Sequence, residues 1–296
     1  MARNRSSVAA ARAFTLVEMM VVVAVILVLL GILMPGIERA IDNSMTAVCQ
    51  SNNRQFLIGY LTYATEHRGA IPNGFPGGGY PQDVDDNSFT PTDCFVKAEN
   101  TAITDKATRE RMAYKAIEQG ALYPYLRDVK IWQCPAAAAD ANKRTYVIID
   151  TLRGSEILKP GTKMFSAGTD RMTRIYNPGQ QLVFMEESDS RGFNMGSWVL
   201  NAWDQGAGSF GVGYEFVDYV GLYHAGETAD DMGFLDGHVE RWQWQDPDTI
   251  KQAKNDDFFF TDPGNEDFKR LRSVYRQLAT YSDAAGTISY KPLYIQ

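Results

Sequence analysis

Only three cysteines occur in 296 residues. That is too few for a disulfide scaffold, and no C-x-x-C pair frames a zinc knuckle. Basic residues are in deficit, with 29 Lys and Arg against 36 Asp and Glu and a net charge of −7. A dedicated nucleic-acid binder needs a basic face to replace counterions, so nucleic acid is not an expected partner. Charged residues at 22% and hydrophobic residues at 45% exclude both wholesale disorder and a polytopic membrane protein. The length suits two ordinary domains or one large domain with insertions. Charge is missing altogether from one place. Residues 19–34 carry neither a charged nor a strongly hydrogen-bonding side chain, and no Lys or Arg occurs between Ala13 and Glu38.

That gap organises the N-terminus. Residues 1–13 are a leader with Arg3, Arg5 and Arg12 and no acid. Residues 14–34 would be about 32 Å long as a helix, enough to span a bilayer core. Positive charge on the leader side only predicts a cytoplasmic N-terminus and a translocated remainder. A secretory signal peptide fits poorly, because cleavage after Ala40 would place Glu38 at −3, where a small residue belongs. A plain anchor leaves Glu18 unexplained, since a carboxylate near the start of an apolar span is costly unless it snorkels or pairs. Past Pro35, Ile37, Ile41, Met45, Val48, Asn52, Phe56, Tyr60 and Tyr63 recur at spacings of three and four, which predicts a resumed amphipathic helix ending near Glu66.

Ala13-Phe14-Thr15-Leu16-Val17-Glu18, an apolar run and Pro35 together resemble the N-terminus of type IV pilins and type II secretion pseudopilins. The resemblance implies that a prepilin peptidase cuts between Ala13 and Phe14 and that the new terminus is N-methylated. Glu18 and Pro35 fall on the family's fifth and twenty-second mature positions. The residue before the cut is usually Gly, and Ala13 departs from that, with slower processing as the expectation. Glu18 would pair with the α-amine of a neighbouring subunit in an apolar medium. Pro35, which removes one helix hydrogen bond, invites a kink or local melting.

Beyond the helix, residues 72–93 read as an irregular loop and 105–119 as a short helix. Strand-like runs follow at 145–149, 164–167, 181–185, 197–203, 214–219, 232–235 and 239–244. Asp236-Gly237 predicts a two-residue hairpin turn with both positions at positive φ. Thr261-Asp262-Pro263 predicts a last helix running to about Ser282. The expected fold is α+β and pilin-like, a long N-terminal helix packed on an antiparallel sheet with a late helix. Its expected divisions are a leader at 1–13, a transmembrane segment at 14–35, an amphipathic half at 36–66 and a head at 67–296.

Three stretches also resemble the pilin-like group named for an H-X9-DG motif: Cys49-Gln50-Ser51-Asn52-Asn53-Arg54-Gln55, then Tyr123-Pro124-Tyr125-Leu126 to Cys134-Pro135, and His224 to Asp236-Gly237. Eleven residues rather than nine separate His224 from Asp236. A Cys134–His224–Asp236 set can be written as a thiol-hydrolase triad, but no oxyanion loop or activating helix N-terminus accompanies it, and no enzymatic activity is expected. The expected role of His224 is to hydrogen-bond near the Asp236-Gly237 turn and fix the hairpin. Cys49 and Cys134, on family-like segments, are the candidate disulfide, with free buried thiols as the alternative. Related secretion pseudopilins often hold a calcium in a head loop, and Glu186, Glu187 and Asp189 are the first candidates for one, although no acidic cluster has EF-hand spacing. Loss of the three leader arginines takes the net charge from −7 to −10.

The sequence therefore reads as a pilin-like or pseudopilin-like subunit, single-pass in the inner membrane with its head periplasmic or extracellular. Its expected partners are the prepilin peptidase, like subunits and an inner-membrane assembly platform. A membrane-tethered protein that binds a ligand such as polysaccharide, and uses the N-terminus only for export, is the alternative.

Overall fold

The computed structural model describes residues 15–74, 94–97, 103–137, 143–149, 152, 156–159, 162–165, 171–175, 177–188, 196–198, 200–201, 215–216, 218, 220–255, 260–261, 264–275, 278–282 and 288–292. The chain divides into two compact units, Met1–Ser44 and Met45–Gln296. The division falls inside the first helix, because burial on the sheet begins at Thr46.

Helix α1 (Leu16–Glu66) runs for 51 residues and contains Pro35. The helix runs through Pro35 without a break, so the expected local melting is not seen there. In the first unit its apolar side chains are exposed, Val17, Leu27, Val28 and Ile32 among them. An 18-residue window there has a mean hydropathy of 3.0, long and apolar enough to cross a membrane.

The second unit contains helices α2 (Lys106–Glu118), α3 (Tyr123–Leu126), α4 (Pro247–Asn255) and α5 (Glu266–Tyr275). Its strands, in chain order, are β1 (Tyr146–Ile149), β2 (Glu156–Lys159), β3 (Thr162–Phe165), β4 (Leu182–Glu186), β5 (Ser197–Trp198), β6 (Leu200–Asn201), β7 (Glu215–Phe216), β8 (Ala229–Phe234), β9 (Val239–Gln243), β10 (Phe260–Thr261), β11 (Leu278–Ser282) and β12 (Ile288–Pro292). The main sheet has the order β5-β1-β4-β8-β9. Four of its strands are antiparallel neighbours, whereas β5 joins β1 in parallel. The fold is α+β as expected, with a mixed edge in place of a simple meander.

Burial on helix and sheet explains the packing. Cys49, Asn53, Phe56, Leu57, Tyr60, Tyr63 and Ala64 are the buried face of α1, and β1 and β4 are buried along their whole length. Phe56 is the centre of an aromatic cluster, with ring centroids 4.8 Å from Trp132, 5.3 Å from Tyr146 and 5.5 Å from Phe184. Helix and sheet approach closely at Gly233, where a Cβ would stand 3.2 Å from Leu57 Cδ1.

Two local expectations are corrected. The β8–β9 connection is a three-residue loop rather than a two-residue one. Gly237 N–H donates to Phe234 O at 2.9 Å, Phe234 N–H donates to His238 O at 3.0 Å, and only Gly237 has positive φ, at 96°. This is a turn closed by a glycine bulge, which spares Asp236 a left-handed backbone. The late helix is shorter than expected. Phe260–Thr261 pairs with β7 as a strand, α5 starts at Glu266 behind Asn265, whose Oδ1 accepts from Phe268 N–H at 2.8 Å, and residues 278–282 pair with β12. Helix α4, opening on Pro247, was not expected from the sequence. Of the loop expected at 72–93, residues 75–93 lie outside the described residues.

Candidate functional site

The processing segment comes first in the chain. Ala13 and Phe14 lie outside the described residues. Thr15 and Glu18 form a reciprocal cap at the start of α1. Glu18 Oε2 accepts from Thr15 N–H and from its hydroxyl, each at 2.9 Å, and Thr15 Oγ1 accepts from Glu18 N–H at 3.3 Å. The pattern T-x-x-E satisfies two donors that a helix N-terminus otherwise leaves open. Glu18 therefore has a local partner in the isolated chain, and the carboxylate is already held beside the residue that would become the second of a chain starting at Phe14.

The second unit gathers a different set of groups. Cys49 on α1, Cys134 after the turn at Lys130–Trp132, Glu186 at the end of β4 and His224 before β8 are all fully buried, and one ligand atom from each lies within 4.8 Å of the others. The two sulfurs are 2.7 Å apart, both cysteines being free. His224 Nε2 is 3.5 Å from Cys134 Sγ, 3.2 Å from Glu186 Oε2 and 3.4 Å from Asp231 Oδ2. Its Nδ1 faces Thr46 Oγ1 at 3.1 Å, and that hydroxyl also accepts from Arg241. Gln50 Nε2 donates to Asp231 Oδ1 at 3.0 Å. Asp230 accepts from Glu186 N–H at 3.0 Å. Glu186 Oε1 has no hydrogen-bond partner among the described residues, and Glu186 Oε2 and Asp231 Oδ2 face only His224 Nε2.

The surroundings shift several of these groups. Burial resists a charged imidazole at His224, yet the adjacent Cys134 and Glu186 outweigh it and push its pKa up to about 11. Burial, with Glu186 nearby, raises Asp231 to about 6 and Asp230 well above the carboxylate range. At Cys49 the contact with Cys134 favours the thiolate, but burial and Glu186 together leave its pKa raised. Burial holds the Cys134 thiol well above its ordinary range.

The geometry revises the expected roles. His224 does not touch the hairpin turn; it lies at the opposite end of β8, bridged to Ala229. Asp236 instead accepts from His238, at 3.1 Å from the backbone N and 2.5 Å from Nδ1, so Cys134, His224 and Asp236 do not form a triad. Glu186 belongs with Cys49, Cys134 and His224, whereas Glu187 is not in that group and Asp189 lies outside the described residues. A donor set with two sulfurs and an imidazole does not suit calcium, which takes oxygen. Cys49 and Cys134 are brought together. Thr46 has no local sequence signal, and Asp231, visible in the sequence only as one of the acidic pair Asp230-Asp231, reaches the cluster through the fold.

Residues 9–34 match the family described as the prokaryotic N-terminal methylation motif. This is the prepilin motif of type IV pilins and pseudopilins, and it supports a pilin-like chain processed by a prepilin peptidase. Searches of curated proteins and of solved structures each returned no match.

Proposed function

We propose that the chain is a filament subunit, cut before Phe14, methylated on the new amine and assembled through the apolar half of α1 into a pilus-like or secretion-type filament. The observation that carries this reading is the methylation motif at residues 9–34, whose exposed apolar part of α1 holds one carboxylate, Glu18. Before assembly the span sits in the inner membrane with the arginine-bearing leader in the cytoplasm, as the one-sided positive charge directs. On docking, Glu18 exchanges its bonds to Thr15 for the α-amine of an incoming subunit. An ion pair in an apolar medium is far less costly than either charge left alone, so docking is favoured in one register. The inner-membrane platform and the prepilin peptidase are the partners this cycle needs, and no catalytic role is assigned to the head.

Intact mass of the chain extracted from membranes tests the first step. The expected species begins at Phe14 and carries one additional methyl group, and the Ala13→Leu variant, with a bulky side chain in the peptidase cleft, stays uncut. A chain that keeps its leader, or an Ala13→Leu chain that still begins at Phe14, contradicts the assigned site.

A further inference from the structure

We propose that Cys49, Cys134, Glu186 and His224 are the ligands of a buried structural zinc ion that ties helix α1 to the sheet. The donor set is the first reason. Two sulfurs, one imidazole nitrogen and one carboxylate oxygen converge within 4.8 Å, and zinc takes such mixed sulfur, nitrogen and oxygen sets in tetrahedral geometry. Zinc–sulfur bonds of about 2.3 Å and zinc–nitrogen or zinc–oxygen bonds of about 2.0–2.1 Å place tetrahedral donors about 3.3–3.8 Å apart. The observed 3.5 Å from His224 Nε2 to Cys134 Sγ and 3.2 Å from Nε2 to Glu186 Oε2 are near those separations. The sulfurs, at 2.7 Å, have to open by about 1 Å, the direction in which two thiolates repel.

The orientation of His224 is the second reason. Nε2 faces the sulfurs and carboxylates while Nδ1 faces Thr46. Metal-bound imidazoles commonly use one nitrogen on the metal and anchor the other on an oxygen, which fixes the tautomer. Arg241 bonds to the same Thr46 oxygen, and Gln50 and Arg241 flank Asp231, so the cluster has an outer layer of partners. The third reason is the thinly partnered carboxylate. Glu186 is fully buried and its oxygens face no donor but His224 Nε2, 3.2 Å from Oε2, and a buried carboxylate so thinly partnered is strongly disfavoured without a cation. A disulfide between the cysteines would leave these oxygens as they are; a cation beside Glu186 satisfies one of them.

Binding releases the two thiol protons and any proton on Nε2, leaving two thiolates, a neutral imidazole and a carboxylate on the metal. All four ligands are buried, so the site has no open position for water or substrate and is structural rather than catalytic. Its four ligands come from α1, the segment after Trp132, β4 and the approach to β8, elements far apart in sequence.

The test uses the untagged, full-length chain in detergent. Metal analysis is expected to find one zinc per chain, with all three thiols titratable after denaturation in chelator. Cobalt exchanged into the site is expected to give thiolate-to-cobalt charge-transfer absorption and the intense visible bands of a four-coordinate ion. Cys134→Ser is expected to weaken cobalt binding at least tenfold, and Cys94→Ser, which changes the cysteine outside the cluster, to leave the spectrum unchanged. Joined Cys49 and Cys134 in a non-reduced peptide map, or free thiols in a chain that takes up neither metal, would overturn the proposal. Both readings come from the unmutated chain and do not depend on whether a variant folds.

Discussion

At the scale of single residues, the two histidines near the C-terminal signature divide their work. His238 stacks on Phe234 with centroids 4.4 Å apart and bonds to Asp236, whereas His224 belongs to the buried cluster. The six-residue strand β8 lies between them, about 20 Å of extended chain. Asp236→Ala is expected to cost about 1 kcal/mol. Combined with His238→Ala it should cost less than the sum, because one interaction is removed twice. Combined with His224→Gln it should be additive to within about 0.5 kcal/mol. Thermal or denaturant unfolding of the four variants reads both couplings, and strong coupling of Asp236 to His224 would contradict this division. Sequence reasoning placed the two together because they share a signature, but a rigid strand separates residues that a motif counts as neighbours. The Gly221 backbone illustrates a contact with no sequence signal at all: a Cβ there would meet Glu186 Cβ at 2.7 Å, so only glycine lets this segment lie against the cluster.

At the scale of elements, the amphipathic half of α1 is what the sequence displayed best. Its apolar spacing predicted the buried Phe56, Tyr60 and Tyr63, because a helix on a sheet must repeat its contacts every three to four residues, whereas Ile37, Ile41 and Val48, expected on the same face, are exposed. Phe56→Ala leaves a cavity among Trp132, Tyr146, Phe184 and Phe95 and is expected to destabilise by about 3–5 kcal/mol. Ile58, two residues along and 65% exposed, should tolerate alanine to within about 0.5 kcal/mol. Unfolding of the full chain in detergent compares them, and similar losses would show that this face does not pack as described. Elements set by tertiary pairing were less visible. The spacing of Leu271, Val274 and Leu278 predicts that the helix continues through 278–282, yet this stretch pairs with β12. The buried cluster was legible only as fragments. Cys49 and Cys134 stand out on recognisable segments, but Glu186 at the end of β4 and His224 before β8 acquire their roles from sheet pairings that no local pattern encodes.

At the scale of the whole molecule, the sequence divides its chemistry between two units. The first exposes an apolar stretch whose one carboxylate is Glu18; the second buries a cluster of Cys49, Cys134, Glu186, Asp230, Asp231 and His224. The methylation motif supports processing of the N-terminus by a prepilin peptidase, and the proposed filament role adds that Glu18 acts between chains. Glu18→Ala tests that step most directly. The substitution makes the span more apolar, so insertion should be equal or better, and it lies more than a helical turn from the cut, so processing should be little changed. The parent and the variant would each be co-expressed with the assembly machinery, and sheared surface filaments pelleted while the processed membrane pool is followed. The account predicts that the parent pellets and that Glu18→Ala is lost from the pellet while its membrane pool stays normal. Equal pelleting of both chains would contradict a filament mechanism centred on Glu18, and a parent that never pellets would favour a membrane tether.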